Sequence, residues 1–233
     1  MAPNMAVIMA VIMAGADGVL LRAIARGALI LGVFAVVGTV LVAGSYQLTR
    51  ERIQANEREA LLKRLHQVIP EVSYDNDLFG DVIEVHAPEL LGTVRPVTIY
   101  RARKDGRVTA AVLTPVAPDG YNGRIELLVG VRPDGRVSGV RVLSHAETPG
   151  LGDGIEVERS DWMRGFRGRS LGDPPATRWQ VKRDGGVFDQ FTGATITPRA
   201  VVGAVRRTLE YVAKNEQWLF ASAEEPPTEA KKQ

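Results

Sequence analysis

The sequence of 233 residues predicts an α+β fold. We expect a single N-terminal transmembrane helix and a helical stalk, followed by one domain with an antiparallel or mixed sheet and a packed C-terminal helix. Three patterns predict this arrangement. A run without charged residues, 27–46, is long enough to cross a hydrocarbon core of about 30 Å as a helix. Two pairs of strand-like segments flank Asp-Gly turns. A final segment repeats its apolar residues at helical spacing.

Composition excludes several functional classes. There are 29 Lys and Arg residues against 27 Asp and Glu, and this small, interspersed excess does not indicate a nucleic-acid-binding surface. Cysteine is absent, which excludes disulfides, cysteine nucleophiles and iron–sulfur clusters held by thiolates. The three histidines, His66, His86 and His145, have no close spacing, so no metal site is predicted.

The apolar run is interpreted as an uncleaved membrane anchor that follows a short N-terminal segment, 1–26. A cleaved signal peptide would have a shorter apolar core and a small-residue cleavage site, of which 43–45 is only a weak version. Charge does not decide the orientation, because arginines stand on both sides of the run. They are Arg22, Arg26, Arg50, Arg52 and Arg58.

The stalk is predicted at 47–70, since Glu59 precedes Lys63 by four residues and Pro70 stops the helical pattern. The following domain is predicted at 71–222, with a solvated tail at 223–233. Within the domain, the pattern changes to a period of two. The first predicted hairpin turns at Asp105-Gly106 and the second at Asp134-Gly135.

The second half of the domain is predicted to begin with a glycine-rich loop, 144–154, a short helical stretch at 160–163 and a strand near 179–182. A helix then starts with Thr197 as its cap and Pro198 as its first residue. Its apolar stripe consists of Val201, Val205, Leu209 and Val212.

The segment before that helix is the most informative part of the sequence. Gly193 and Ala194 allow a tight turn, and Thr195 stands just before a helix N-terminus, where unpaired amides and the helix dipole stabilise a phosphate. A threonine hydroxyl there can carry a phosphoester. On the residues alone, an ordinary turn and capping sequence remains the alternative.

The pattern Asp189-x-x-Thr192-Gly193-Ala194-Thr195 resembles the flavinylation motif of the FMN-binding domain family. That family includes the G subunit of the Rnf electron transport complex and the C subunit of the sodium-translocating NADH:quinone reductase. A second block, 145–152, reads His-x-Glu-Thr-Pro-Gly-Leu-Gly and is similar to both of these proteins. The continuation at 160–162 is more similar to the Rnf protein.

The resemblance implies FMN attached covalently through a phosphoester to Thr195, with Asp189 recognised by a flavin transferase that uses FAD and a divalent metal. No residue is implied as an acid or base, because the redox chemistry belongs to the flavin. The further residues implied to contact the cofactor are Thr192, Gly193, Ala194, His145, Glu147, Thr148, Gly150, Leu151 and Gly152.

The resemblance also implies a function. The chain would be an electron-carrying subunit, without independent turnover, of a membrane-bound ion-translocating complex in which other subunits handle the ferredoxin and NAD couple. Its domain would lie on the periplasmic face of the bacterial inner membrane. Two alternatives remain: the C subunit of the quinone reductase, and a membrane-anchored assembly or binding module without flavin.

Overall fold

The computed structural model describes residues 5–70 and 73–221. The predicted tail, 223–233, lies outside the described residues. The chain divides into two units between Glu59 and Ala60. Helix α1, Met5–Val68, begins in the first unit and ends in the second.

Among the described residues of the first unit, one helix segment, Ile24–Arg50, is long and apolar enough to cross a membrane. It includes the predicted run at 27–46. This apolar segment is not buried in the protein, and its large side chains, such as Leu29 and Phe34, are exposed. A continuous apolar surface of this length is typical of a lipid-facing helix.

The described part of the second unit, 60–70 and 73–221, contains a sheet of six strands, all paired antiparallel. The strands are β1 Val82–Val85, β2 Val97–Lys104, β3 Arg107–Leu113, β4 Val116–Gly120, β5 Gly123–Val131 and β6 Val137–Ser144. A short helix α2, Pro88–Leu91, connects β1 to β2. Strands β3 and β4 pair in succession along one edge of β5, and β6 pairs along the other edge.

Both predicted hairpins are confirmed. In the first, β2 pairs with β3 around Asp105 and Gly106, whose φ angles of 50° and 76° match the left-handed pair that a two-residue hairpin turn needs. In the second, β5 pairs with β6, and Gly135 adopts a φ of 72°. The antiparallel sheet and the C-terminal helix confirm the predicted α+β class.

The two faces of the sheet support separate cores, as alternating strands require. The last turns of α1 cover one face, where Leu65 and Val68 are fully buried against β5 and β6. This approach needs glycine in both strands, because a Cβ on Gly130 would lie 2.4 Å from a Val68 methyl and a Cβ on Gly139 would lie 3.1 Å from the Val68 backbone.

The other face is covered by helix α3, Ile196–Leu219, and by the connecting segments before it. The four apolar residues of the predicted stripe are all buried. The helix begins at Ile196, so the predicted start at Pro198 is wrong by two residues.

The segment between β6 and α3 folds into 3-10 turns. They are Asp153–Ile155, Trp162–Phe166, Ala176–Arg178 and Lys182–Asp184. The predicted strand near 179–182 is therefore wrong: Trp179 and Val181 alternate inward, but only one isolated bridge forms there in the described chain, between Val181 and Phe188. Trp179 is buried instead in an aromatic cluster with Phe166 and Phe188, with ring centroids 4.7–6.2 Å apart.

An ion-pair network connects Asp81, the residue before β1, to two arginines of β2, and its contribution to stability can be tested. The Asp81 carboxylate, 18% exposed, accepts hydrogen bonds from both Arg101 and Arg103. We expect Asp81→Ala to lower the free energy of unfolding by about 3 kcal/mol, because it leaves two mostly buried guanidinium groups without their carboxylate. Urea unfolding of the full chain in detergent, followed by tryptophan fluorescence, measures this loss.

The matched control is Arg124→Ala, which breaks an exposed ion pair with Glu126. Its cost should stay below about 1 kcal/mol. Equal losses of unfolding free energy in the two variants would show that the Asp81 network stabilises the domain no more than an exposed ion pair does.

Candidate functional site

Two loops that are distant in the sequence line one open cleft of about 570 Å³. The loop after β6 contributes Pro149, Gly150 and Leu151, and the segment before α3 contributes residues 190–192. A volume of this size lies within the usual range for small-molecule sites, about 300–1,000 Å³. The fold therefore brings together the two blocks that sequence analysis singled out.

The segment before α3 is a tight turn. The amide of Ala194 donates to the carbonyl of Phe191 at 3.1 Å, and Gly193 between them adopts a φ of 80°, a conformation that favours glycine. A Cβ at Gly193 would lie 3.8 Å from Leu151, so this turn faces the loop after β6 directly.

Thr195 occupies the cap position at the start of α3 and is partly buried. Its backbone is helical, and its side chain makes no capping hydrogen bond. Among the described residues, no donor or acceptor engages its hydroxyl. The Thr195 oxygen is thus uncommitted, at the end of a helix where amide hydrogens lack intrahelical acceptors.

Thr197 does not cap the helix, contrary to the prediction. It lies inside the first turn, is fully buried, and donates its hydroxyl hydrogen to the Glu147 carboxylate. The sequence rule failed because this tertiary bond holds Thr197 inside α3, while Pro198 is tolerated in the first turn, where its missing N–H costs nothing.

Glu147 is only 4% exposed and connects three elements. One carboxylate oxygen accepts from the Thr197 hydroxyl, and the other accepts from the backbone amide of Asn122 at 3.0 Å, in the turn between β4 and β5. The Asn122 side chain also donates to the Thr148 hydroxyl at 3.0 Å. A contact between the Glu147 carboxylate and a cofactor would require it to leave these partners.

His145 fixes the start of the same loop. Its Nδ1 accepts the amide hydrogen of Glu147 at 3.0 Å, so Nε2 carries the ring hydrogen and donates it to Glu156 at 2.8 Å. His145 does not line the cleft.

The glycines of this loop have different surroundings. Gly152 is buried, and a Cβ there would lie 2.9–3.0 Å from Glu147 and Thr197. Gly154 lies against the Phe191 ring. Gly150, with a φ of 79°, has open space around its Cβ position, and Leu151 beside it is 49% exposed. Gly150 and Leu151 are therefore free to meet a ligand in the cleft.

Asp189 lies at the start of the predicted motif, 189–195. Its backbone carbonyl accepts the indole hydrogen of Trp162 at 2.7 Å, while its carboxylate, 69% exposed, pairs with Lys182 at 2.5 Å. Trp162 also contacts Phe191 edge-to-face, with ring centroids 5.3 Å apart. The backbone at Asp189 is thus fixed while its side chain remains accessible from solvent.

A surface ion pair connects the last 3-10 turn to the first turn of α3. The Arg199 guanidinium donates two hydrogen bonds, at 2.7 and 2.8 Å, to the Asp184 carboxylate. These bonds, together with the charge of Arg199, lower the pKa of Asp184 below its usual value.

Asn122, Phe191 and Trp162 also belong to the site, although the sequence did not predict the contacts that they make there. The Asn122 amide donates to Glu147, which is 25 residues later in the sequence, and local sequence patterns do not predict a contact over this separation. Phe191 lies within the predicted motif and Trp162 follows the glycine-rich loop, but nothing in the sequence indicates that their rings are in contact.

Comparison with known proteins assigns the class. Residues 120–210 match the family described as the FMN-binding domain, and residues 6–68 match the family described as the RnfG N-terminal region. The first match includes both loops of the cleft. The second match includes the candidate membrane span. The fold, the cleft and this match together define an FMN-binding domain that follows a candidate membrane-spanning helix.

The relatives narrow this class. The G subunit of the ion-translocating oxidoreductase complex of Pseudomonas aeruginosa is 50% identical over 208 residues, 89% of this chain and 97% of the relative. The corresponding proteins are 50% identical in Vibrio cholerae, over 86% of this chain and 95% of the relative, and 48% identical in Shewanella loihica, over 85% and 94%. The chain belongs to this RnfG family, which confirms the resemblance found in the sequence.

The Trp162 hydrogen bond generates a test of local order. We expect Trp162→Phe, which keeps a ring but loses the indole donor, to raise amide hydrogen exchange in 189–194 about fivefold, since a hydrogen bond contributes about 1 kcal/mol. The control Trp218→Phe removes the indole hydrogen bond to Asn215 and should leave that segment unchanged. Equal exchange in the two variants would show that Trp162 does not hold the segment.

Proposed function

We propose that the chain is the FMN-carrying electron-transfer subunit of an Rnf-type ion-translocating complex and works only together with the other subunits. Relatives with about 50% identity over nearly their whole length are named as the G subunit of such a complex. The match to the FMN-binding domain includes every residue that lines the cleft. The match of residues 6–68 to the RnfG N-terminal region favours this assignment over the alternative, the C subunit of a quinone reductase.

The FMN is attached to Thr195 through a phosphoester. The observation that carries this proposal is the uncommitted Thr195 hydroxyl at the start of α3. Thr197 is unsuitable because it is fully buried and bonded to Glu147. Thr192 is exposed, but it precedes the helix start by four residues, away from the amides of Ile196 and Thr197 that stabilise a phosphate.

The cleft suits a flavin. Leu151 and Phe191, which both line the cleft, would provide apolar surface for a planar ring. Gly150, which lines the cleft, and the neighbouring Thr148 would contact the ring or the ribityl chain. We infer that His145, Glu147 and Gly152 stabilise the conformation of this loop and do not contact the flavin, because each of them is packed or hydrogen-bonded against other protein groups.

When bound, FMN supplies reversible electron acceptance, and the protein supplies position and shielding. A covalent bond retains the cofactor wherever free FMN is scarce, which contact energy alone does not ensure. The accessible carboxylate of Asp189 is the feature that the flavin transferase recognises. The domain lies on the periplasmic side of the bacterial inner membrane, as in the family that the chain resembles.

The attachment residue is tested by substitution. Thr195→Ala should abolish in-gel flavin fluorescence of the full chain produced in an envelope that contains the transferase, because it removes the oxygen that forms the ester. Thr195→Ser should retain labelling, and the matched control Thr192→Ala should weaken it by less than about twofold. Denaturing electrophoresis and intact mass measure the outcome.

A dark wild-type band without an FMN mass increment would contradict covalent attachment and support the module without flavin. Persistent labelling of Thr195→Ala would show that another hydroxyl carries the cofactor.

The orientation is tested with single cysteines, since the native chain has none. Glu158 is exposed in the domain, and Arg22 is exposed before the candidate span. In cells with a permeabilised outer membrane, a thiol reagent that cannot cross the inner membrane should label Glu158→Cys and not Arg22→Cys. The reverse pattern would place the domain in the cytoplasm.

A further inference from the structure

We propose that Glu147 and Thr197 form a positioning pair that sets the Thr195 hydroxyl for attachment without touching the flavin. This inference rests on the proposed attachment at Thr195. It assigns to the block at 145–152 a role during maturation of the protein, in addition to any contact with the bound cofactor.

The geometry of the pair supports this role. Thr197 lies two residues after Thr195, within the first turn of α3, and its hydroxyl donates to one oxygen of Glu147. The other oxygen of Glu147 accepts from the amide of Asn122 at 3.0 Å, at the end of the hairpin formed by β4 and β5. The start of α3 is thereby tied, through one carboxylate, to the sheet.

The surroundings of the carboxylate leave it little freedom. A Cβ at Gly120 would lie 2.9 Å from one carboxylate oxygen, and a Cβ at Gly152 would lie 2.9 Å from the other. Neither hydrogen bond comes from a lysine or arginine, so the buried charge depends on two neutral donors. Loss of the Thr197 hydroxyl would leave one oxygen without a partner and release the first turn of α3.

The reaction explains why position matters. During attachment, the Thr195 oxygen bonds to the phosphorus of the FMN half of FAD, the pyrophosphate bond breaks, and AMP leaves while the threonine proton passes to the transferase. Transfer of this kind depends on alignment of the oxygen with the phosphorus, and a displacement near 1 Å can cost about a hundredfold in rate. The pair should therefore affect the rate of transfer more than binding to the transferase.

The test uses the purified apo form of the full chain in detergent with the transferase, FAD and Mg²⁺. Thr197→Val keeps the side-chain shape but removes the hydroxyl, and it should lower kcat for attachment about tenfold or more with KM little changed. Thr197→Ser restores the hydroxyl and should recover most of that loss. The double variant Glu147→Gln/Thr197→Val should react no more slowly than Thr197→Val alone, because the Gln oxygen still accepts from the Asn122 amide and the other end of the side chain faces a residue that has already lost its hydroxyl.

Gly152→Ala disturbs the same pair without removing either hydroxyl or carboxylate, since the added Cβ would push Glu147 and Thr197 apart. Its matched control is Gly165→Ala, where a Cβ meets nothing within 4 Å. Gly152→Ala should also lower kcat, and Gly165→Ala should not.

A lowered unfolding temperature in Thr197→Val and Gly152→Ala with wild-type kcat would overturn the positioning role and leave only a structural one. Failure of Thr197→Ser to recover the rate would overturn it as well. If the wild-type chain itself acquires no flavin, the proposed attachment fails before the pair is tested, so the two failures are distinguishable.

Discussion

The rest of the site depends on the two hydrogen bonds that the buried Glu147 carboxylate accepts. A buried charge is costly unless its oxygens are hydrogen-bonded, and here the two donors come from different elements, the turn after β4 and the first turn of α3. Satisfying this one group therefore fixes where the helix begins relative to the sheet. The open side of the same loop, at Gly150 and Leu151, is left to line the cleft.

The sheet and the aromatic cluster provide the rigid support for this arrangement. Strand β6 ends directly before the loop, and Phe166, Trp179 and Phe188 pack beneath the segment that leads to α3. The segment before α3 is held at Asp189 by a hydrogen bond from Trp162. A cofactor site built from loops thus gains the precision of the elements that flank it, which a carrier needs if its flavin is to meet redox partners at a constant distance.

The sequence predicted the elements that depend on local patterns, but it did not predict the contacts between residues that are distant in the chain. The Asp-Gly turns and the apolar stripe of α3 are encoded within a few residues, so the hairpins and the helix followed from sequence. Both motif blocks were found, and the fold brings them to one cleft. The start of α3 was missed because Thr195 and Thr197 both fit a capping pattern, and the choice is made by a bond to Glu147, 50 residues earlier. The inward alternation of Trp179 and Val181 imitated a strand, although aromatic packing produces it.

The central claim is that this fold presents the Thr195 hydroxyl, and no other, for covalent FMN. Tandem mass spectrometry of the tryptic fragment 184–199 tests it most directly, because that fragment contains Thr192, Thr195 and Thr197 together. We expect an FMN increment on Thr195 alone. An increment on Thr192 or Thr197, or an unmodified fragment from protein matured with the transferase, would contradict it.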